Sequence, residues 1–286
     1  MDTMTFPLRL SNAQRRAIAE LFPHLEPRLQ LDATNARTLQ FGLQEVKWIA
    51  RACRVAVHTA ETSREGDSLL HVVDAAERVL SRLPKGEIHR IPPSQRLYQF
   101  KITLTGIGPP IWRRIQTEDC TLDKLHEHIQ TAMGWSNYHL HRFEIDGVVY
   151  GDLELLYEAW EDATPPVNSL RIWLSTLVPE DGKPFQFQYE YDFGDRWRHE
   201  VVFEGCLRAE KRVRYPLCVE GERACPPEDV GGIHGYREYL ETLRDPDHEE
   251  WDETSDWRGP YRPEHFDAVA ATKTMQRGLP NWRQTQ

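Results

Sequence analysis

Residues Phe185 to Phe203 read FQFQYEYDFGDRWRHEVVF. Before the bend Phe185, Phe187, Tyr189 and Tyr191 alternate with polar residues, and after it Trp197, His199, Val201 and Phe203 do the same, the period of two half-buried strands. A slip of one residue would exchange the faces. With a three-residue loop at Phe193-Gly194-Asp195, Tyr191 stands opposite Trp197 and Tyr189 opposite His199, while Asp192 meets Arg196 and Glu190 meets Arg198 on the other face. A two-residue Gly194-Asp195 turn would set aromatic against charged side chains, so the longer loop is expected. Turn chemistry accounts for the Asp and Gly at the tip. Loops on a rigid scaffold also carry binding sites, so Asp192, Asp195, Arg196 and His199 are candidate ligand-binding residues, with His199 the candidate acid or base.

The chain has 286 residues, 28% charged and 40% hydrophobic, enough for two soluble globular domains. Its formal net charge of -10 opposes non-specific coating of nucleic acid. No apolar run approaches the roughly 18 to 20 residues that span a bilayer, and the N-terminus lacks a signal-peptide core, so a cytoplasmic location and no membrane partner are expected. Five sparse cysteines, an odd number, do not make a disulfide framework.

Residues 1–90 read as a helical domain: a helix over Asn12 to Phe22 capped by Ser11, a long one from Ala36 to about Ala60 with Leu39, Leu43, Val46, Ile49, Cys53 and Val57 at helical spacing, and a third from about Ser68 to Leu83. Such a unit suits self-association or docking of a protein partner. A linker from Pro84 to Gln95 follows.

Residues 91–286 read as a mixed-sheet domain, making the whole chain α+β. Leu97 to Thr105 and Ile111 to Gln116 form a first hairpin, and a helix over Leu122 to Met133 is capped by Thr121 and ended by Gly134. His126 borders the helix's buried stripe and His128 points away from it. The next strand places His139, His141 and Phe143 on one face, a spacing at which two histidines can share a metal. Hairpin, helix and strand make a β-grasp-like start. Asp152 to Asn168 reads as an acidic surface excursion, Leu170 to Leu177 and Arg212 to Tyr215 as strands, and Tyr236 to Leu243 and Glu264 to Met275 as helices, with Trp251 and Trp257 pinning the tail.

Several segments together resemble one family. These are Pro110-Ile111-Trp112-Arg113-Arg114, the Leu122 to Met133 helix running into Gly134-Trp135, His139-Leu140-His141 with Phe143, the Tyr191 to His199 bend, and Cys218 followed by Ala224-Cys225-Pro226-Pro227-Glu228-Asp229-Val230-Gly231-Gly232. They look like the plasmid pRiA4b ORF-3-like family, also labelled an insertion-element passenger TnpR family. The resemblance runs from about Leu97 to near Val269 and implies an association with plasmids and transposable elements but no activity. A resolvase would need a nucleophilic serine and supporting arginines in its N-terminal domain, an arrangement the first third lacks.

The Cys218 to Gly232 loop is the second concentration of chemistry. Cys218 and Cys225 with His199 and His234 are candidate zinc ligands, although the Cys spacing exceeds that of a zinc knuckle and two buried thiols would explain it too. Glu228 and Asp229 with Asp192 and Asp195 are a candidate acidic site for Mg2+ or Mn2+. No phosphate-cradling glycine loop, nucleophile elbow or zinc-protease helix is present. Three functions follow. One is a non-enzymatic binding or adaptor module with a polar pocket between the 192–199 tip and the 218–232 loop. The second is a metal-dependent enzyme acting on nucleic acid or another phosphate ester, and the third a DNA-binding regulator.

Overall fold

Leu8 and Leu10 alternate with polar residues, as do Leu39 and Phe41, and in a computed structural model these segments pair. The N-terminal elements are β1 (Thr5–Leu10), α1 (Asn12–Leu21), β2 (Arg37–Gly42) and α2 (Ser63–Leu80), with β1 and β2 antiparallel. The structure describes residues 5–21, 23–42, 63–80, 91–152, 166–179 and 182–279, with single positions between 46 and 57 and at 156. The chain divides into two units, Met1–Lys85 and Gly86–Gln286.

In the first unit Leu8, Leu10, Leu39 and Phe41 share one core with Ile18 of α1 and Leu69, Val72, Val73 and Ala76 of α2. Val46, Ile49 and Cys53 are buried in it too. Arg15 is fully buried and donates from Nη1 to the carbonyls of Leu10 and Asn35, both at 3.0 Å, which ties α1 to the chain on either side. The helical reading of residues 1–90 is corrected at two segments: Thr5–Leu10 forms β1, and the helix expected from Ala36 begins as β2, while Val46, Ile49, Ala50, Cys53 and Ala56 are helical. Thr38 to Phe41 alternates with period two, and that local pattern prevails over the Leu39–Leu43–Val46 spacing. Most of residues 43–62, the linker residues 81–90 and most of the acidic excursion lie outside the described residues.

The second unit runs β3 (Arg96–Leu104), β4 (Ile111–Thr117), α3 (Leu122–Met133), β5 (His141–Ile145), β6 (Val148–Gly151), β7 (Val167–Asn168), α4 (Leu174–Leu177), β8 (Phe185–Tyr191), β9 (Trp197–Arg208), β10 (Leu217–Glu222), α5 (Gly232–Arg244), α6 (Trp251–Arg258) and α7 (Ala268–Arg277). The strands form one eight-stranded sheet in the order β10-β4-β3-β9-β8-β5-β6-β7, antiparallel except for β6 with β7. The fold is α+β.

Helix α3 starts where Thr121 accepts the Lys124 N–H at 3.3 Å and stops at Gly134, whose φ of 100° suits a residue without Cβ. Leu125 and Ile129 are fully buried, as are Phe100, Phe143, Tyr189, Val201 and Phe203 of the sheet. Burying each such side chain contributes about 1.5–3 kcal/mol, the main stabilising term. His128, expected to point away from the stripe, is also buried; α7 packs against α3, so the helix is covered on more than its sheet-facing side.

Two expected strands are corrected. Leu170 to Leu177 forms a short 3-10 turn and α4, because Asn168 caps the Leu170 N–H at 3.0 Å and the chain curls instead of extending. Arg212 to Tyr215 is a turn region; the strand β10 begins after Pro216, which has no N–H to give a ladder. At the tail, Asp267 accepts from the Val269 and Ala270 N–H groups at 2.9 and 3.0 Å and starts α7, and Trp257 meets Tyr239 edge-on at 5.9 Å. Among the described residues no helix is long and apolar enough to cross a membrane.

Candidate functional site

The hairpin has the register that its alternation dictates: Tyr191 lies opposite Trp197, Tyr189 opposite His199 and Glu190 opposite Arg198. The Arg196 N–H closes the loop on the Asp192 carbonyl at 2.6 Å. The Asp192 side chain, instead of pairing with Arg196, turns inward: its Oδ1 accepts from Gly194 N at 2.9 Å and Asp195 N at 3.2 Å. Asp192 itself sits at a φ of 59°. The Asp192 N–H donates to the Leu140 carbonyl at 2.9 Å, which ties the tip to the segment leading into β5.

The 225–232 segment reaches the same end of the sheet by a different route. Arg113, buried in β4, donates from Nε to the Ala132 carbonyl at 3.0 Å and from Nη1 and Nη2 to the carbonyls of Glu222 and Arg223 at 2.9 and 2.8 Å. Its guanidinium lies over the Phe266 ring at 3.8 Å. One cation thereby joins the end of α3 to the end of β10, the five-donor fork being what the geometry uses. Beyond it, Trp135 Nε1 donates to the Pro226 carbonyl at 3.0 Å.

Four bonds then fasten the loop to the hairpin and to the segment before β5. Tyr191 Oη donates to Glu228 Oε1 at 2.5 Å, and Glu228 Oε2 accepts the Ser136 N–H at 3.2 Å. Gly231 N donates to Asp195 Oδ2 at 3.2 Å, so a carboxylate from the hairpin tip sits at the start of α5, where a helix favours negative charge. His139 Nε2 lies 2.8 Å from Asp229 Oδ1 and 3.5 Å from Asp192 Oδ2. Close approach here demands glycine: a Cβ on Gly232 would lie 2.6 Å from the Asp195 carbonyl oxygen, and one on Gly235 would lie 1.9 Å from that of Val230.

The six candidate ligand residues therefore do different things. Asp192 and Asp229 converge on His139; Asp195 faces the start of α5; Glu228 is buried against Tyr191; Arg196 is exposed. The four carboxylates share one end of the unit without forming one acidic site.

His199 is fully buried, with Tyr189 at 5.2 Å and Trp135 edge-on at 5.4 Å between ring centroids. Among the described residues neither ring nitrogen makes a well-formed hydrogen bond, and burial pushes its pKa down to about 3, so it is a neutral core side chain closed to solvent. The expected acid–base role has no route to a ligand.

The candidate zinc set does not assemble. Among the described residues the group of three or more His, Cys, Asp and Glu side chains that brings ligand atoms together is His139, Asp192 and Asp229, whose atoms lie within 4.8 Å of one another. His234 is 86% exposed on α5, and the Cys218 thiol donates to the Glu220 carbonyl at 3.7 Å. Burial pushes the Cys218 and Cys225 thiols up to about 11 and 12, so both are protonated thiols. The six-residue gap between them spans the turn out of β10.

The sequence reading missed how the histidines divide. His139 lies just before β5, not on it, and His141 faces α3, stacked on His126 with ring centroids 3.4 Å apart and planes 4° from parallel. His126 Nδ1 is 2.8 Å from Tyr189 Oη, and His126 Nε2 is 2.8 Å from Asn137 Oδ1. Asn137 Oδ1 only accepts, so the His126 proton sits on Nε2 and the Tyr189 hydroxyl donates to Nδ1, while Gln130 Nε2 donates to Tyr189 at 3.0 Å. The shared face of His139 and His141 was the available signal. Also missed was Tyr138, 74% exposed beside this cluster and held by its N–H to Tyr191 Oη at 3.0 Å.

Comparison with known proteins agrees with the geometry in scope. The sequence model of the family described as plasmid pRiA4b ORF-3-like protein matches residues 96–270, from the first residue of β3 into α7. The chain is 38% identical over 174 residues to an uncharacterized protein, y4hQ, of Sinorhizobium fredii, a match covering 60% of this chain and 84% of that protein. It is also similar to the crystal structure of MM3350, a protein of unknown function from Methanosarcina mazei Go1. There the identity is 38% and the TM-score 0.54, over 62% of this chain and 96% of that one.

Proposed function

The chain belongs to the plasmid pRiA4b ORF-3-like family, and we propose that its C-terminal unit is a non-enzymatic binding module. It takes a polar ligand at the rim where the 192–196 loop meets residues 226–232. One observation carries the reading: the bonds Tyr191–Glu228, Asp195–Gly231 and Trp135–Pro226 hold the two segments together and leave Tyr138, His139, Arg196 and Asp229 reaching solvent. A side chain of each charge, an imidazole and an aromatic ring on a pre-formed edge suit recognition, because little ordering remains to oppose binding.

Against catalysis by a thiolate or phenolate stands the protonation of these groups near neutral pH. Burial raises the pKa of Tyr189 and Tyr191, and it pushes the thiols of Cys120, Cys206, Cys218 and Cys225 up to about 11 or 12. A second reading, metal-dependent hydrolysis of a phosphate ester, is favoured by the approach of His139, Asp192 and Asp229 alone.

The test is a thermal-shift and calorimetric panel of nucleotides, amino acids, organic acids and short peptides on the chelator-treated full chain. A ligand that binds the parent, and binds Tyr138→Ala at least 10-fold more weakly, supports the module. Failure of every ligand at millimolar concentration, or binding that Tyr138→Ala and Arg196→Ala both leave unchanged, overturns it.

A further inference from the structure

We propose that His139, Asp192 and Asp229 form a site for a divalent transition-metal ion of the zinc or manganese class. The proposal rests on the reading of this rim as a binding site and names what it holds. The ligand atoms of the three residues lie within 4.8 Å of one another. Metal bonds of about 2.0–2.2 Å at tetrahedral angles separate neighbouring ligands by roughly 3.3–3.6 Å. His139 Nε2 and Asp192 Oδ2 stand 3.5 Å apart, a separation at which both can hold one ion. Asp229 Oδ1 is nearer, 2.8 Å from the imidazole, on a side chain 55% exposed.

Asp192 supplies the second, independent observation. Its side chain is only 9% exposed. Oδ1 is occupied by the N–H groups of Gly194 and Asp195, whereas Oδ2 faces the His139 imidazole, with Nε2 at 3.5 Å. A largely buried carboxylate is costly unless its charge is balanced, and at 3.5 Å the imidazole is too far for a short bond, so a cation held between Oδ2 and Nε2 satisfies both. The two bonds to Oδ1 do for the carboxylate what outer-shell partners do for a metal ligand: they fix its orientation before the ion arrives. The backbone of Asp192 is pinned as well, through Leu140 and Arg196.

The donor set selects the ion. One imidazole nitrogen with two carboxylates is a mixed N/O set that suits zinc, manganese or iron(II), while calcium and magnesium favour oxygen alone. Two carboxylate charges balance a divalent ion. Three protein ligands leave at least one position, whose exchangeable occupant is water or an oxygen donor of the ligand.

The experiment uses the full chain, stripped with chelator and titrated with ZnCl2 and MnCl2 by calorimetry, with metal content counted after desalting. The Co2+ form adds an absorption spectrum that reports nitrogen ligation. One equivalent is expected for the parent, with affinity at least 10-fold weaker in His139→Ala and in Asp192→Asn, and unchanged in His234→Ala. His139 is partly exposed and outside any strand, so its variant keeps the test informative if Asp192→Asn fails to fold. Absence of binding at 100-fold excess metal, or binding that His139→Ala leaves intact, overturns the site. Because the ligand panel above runs on metal-free protein, a positive panel with no metal uptake refutes this site alone. Metal uptake with a panel that stays negative on both the metal-free and the metal-loaded chain refutes the binding reading alone.

Discussion

Replacing Tyr191 by Phe removes one oxygen from the joint between hairpin and loop and leaves the ring in place. That oxygen donates to Glu228 at 2.5 Å and accepts the Tyr138 N–H at 3.0 Å. A hydrogen bond to a charged group contributes about 1.5–3 kcal/mol, and an orphaned backbone N–H costs about 1–3 kcal/mol where water cannot reach it. Tyr138 is exposed, so water can serve its N–H and the second figure falls toward its lower bound. The expected loss is about 2–4 kcal/mol. For a unit of this size 1 kcal/mol moves Tm by about 2–4 °C, so a fall of roughly 4–16 °C is expected in thermal denaturation followed by near-ultraviolet circular dichroism. The pH dependence adds a second check. Burial, then Glu228, raises the Tyr191 pKa in the folded protein above its ordinary 10.0. A raised phenol contributes stability that is fully present below pH 10 and is lost as pH rises beyond it, where the unfolded chain ionises first. The phenyl ring of the variant cannot ionise, so the gap between parent and variant should hold constant to about pH 9 and narrow above 10. A Tm change under 2 °C, or a gap that widens in alkali, would refute the joint as drawn.

Two further outcomes follow from the same geometry. His199 has its pKa lowered to about 3 by burial, so the unfolded chain takes up its proton near pH 6.5 while the folded one does not. This depressed group costs about 1.4 kcal/mol per pH unit below 6.5, and urea titrations at pH 7 and pH 5 should show His199→Leu losing less on acidification than the parent while matching or exceeding it at pH 7. Gly235→Ala places a Cβ 1.9 Å from the Val230 carbonyl oxygen and should cost at least about 3 kcal/mol or prevent folding. In Gly194→Ala the nearest atom is the Asp192 carboxylate oxygen at 3.2 Å, and soluble expression with a Tm within a few degrees of the parent is expected.

Local pattern carried far in this chain. The Tyr189–His199 and Tyr191–Trp197 register was legible because a one-residue slip would bury charge. Helix α3 was legible end to end because Thr121 and Gly134 are its start and stop signals. Where two periods competed, as from Thr38 to Gly42, the reading went to the wrong one, since a short apolar run fits either until its partner strand is known.

The candidate site divides along the same line. That Asp192, Asp195 and Asp229 stand at turns was written in their neighbours, because Gly and Asp adopt the backbone angles turns need. Which donor each carboxylate meets was not: Gly231 lies 36 residues from Asp195, and His139 lies 53 before Asp192, so neither pairing has a periodic signature. The same holds for burial, where His199 and His139 look alike in one dimension. The first is sealed behind Trp135 and the second opens to solvent, a difference made by packing α3 and the 225–232 segment onto the sheet. Sequence alone determines backbone preference and the face a residue takes; the long-range closure of the chain decides which faces meet.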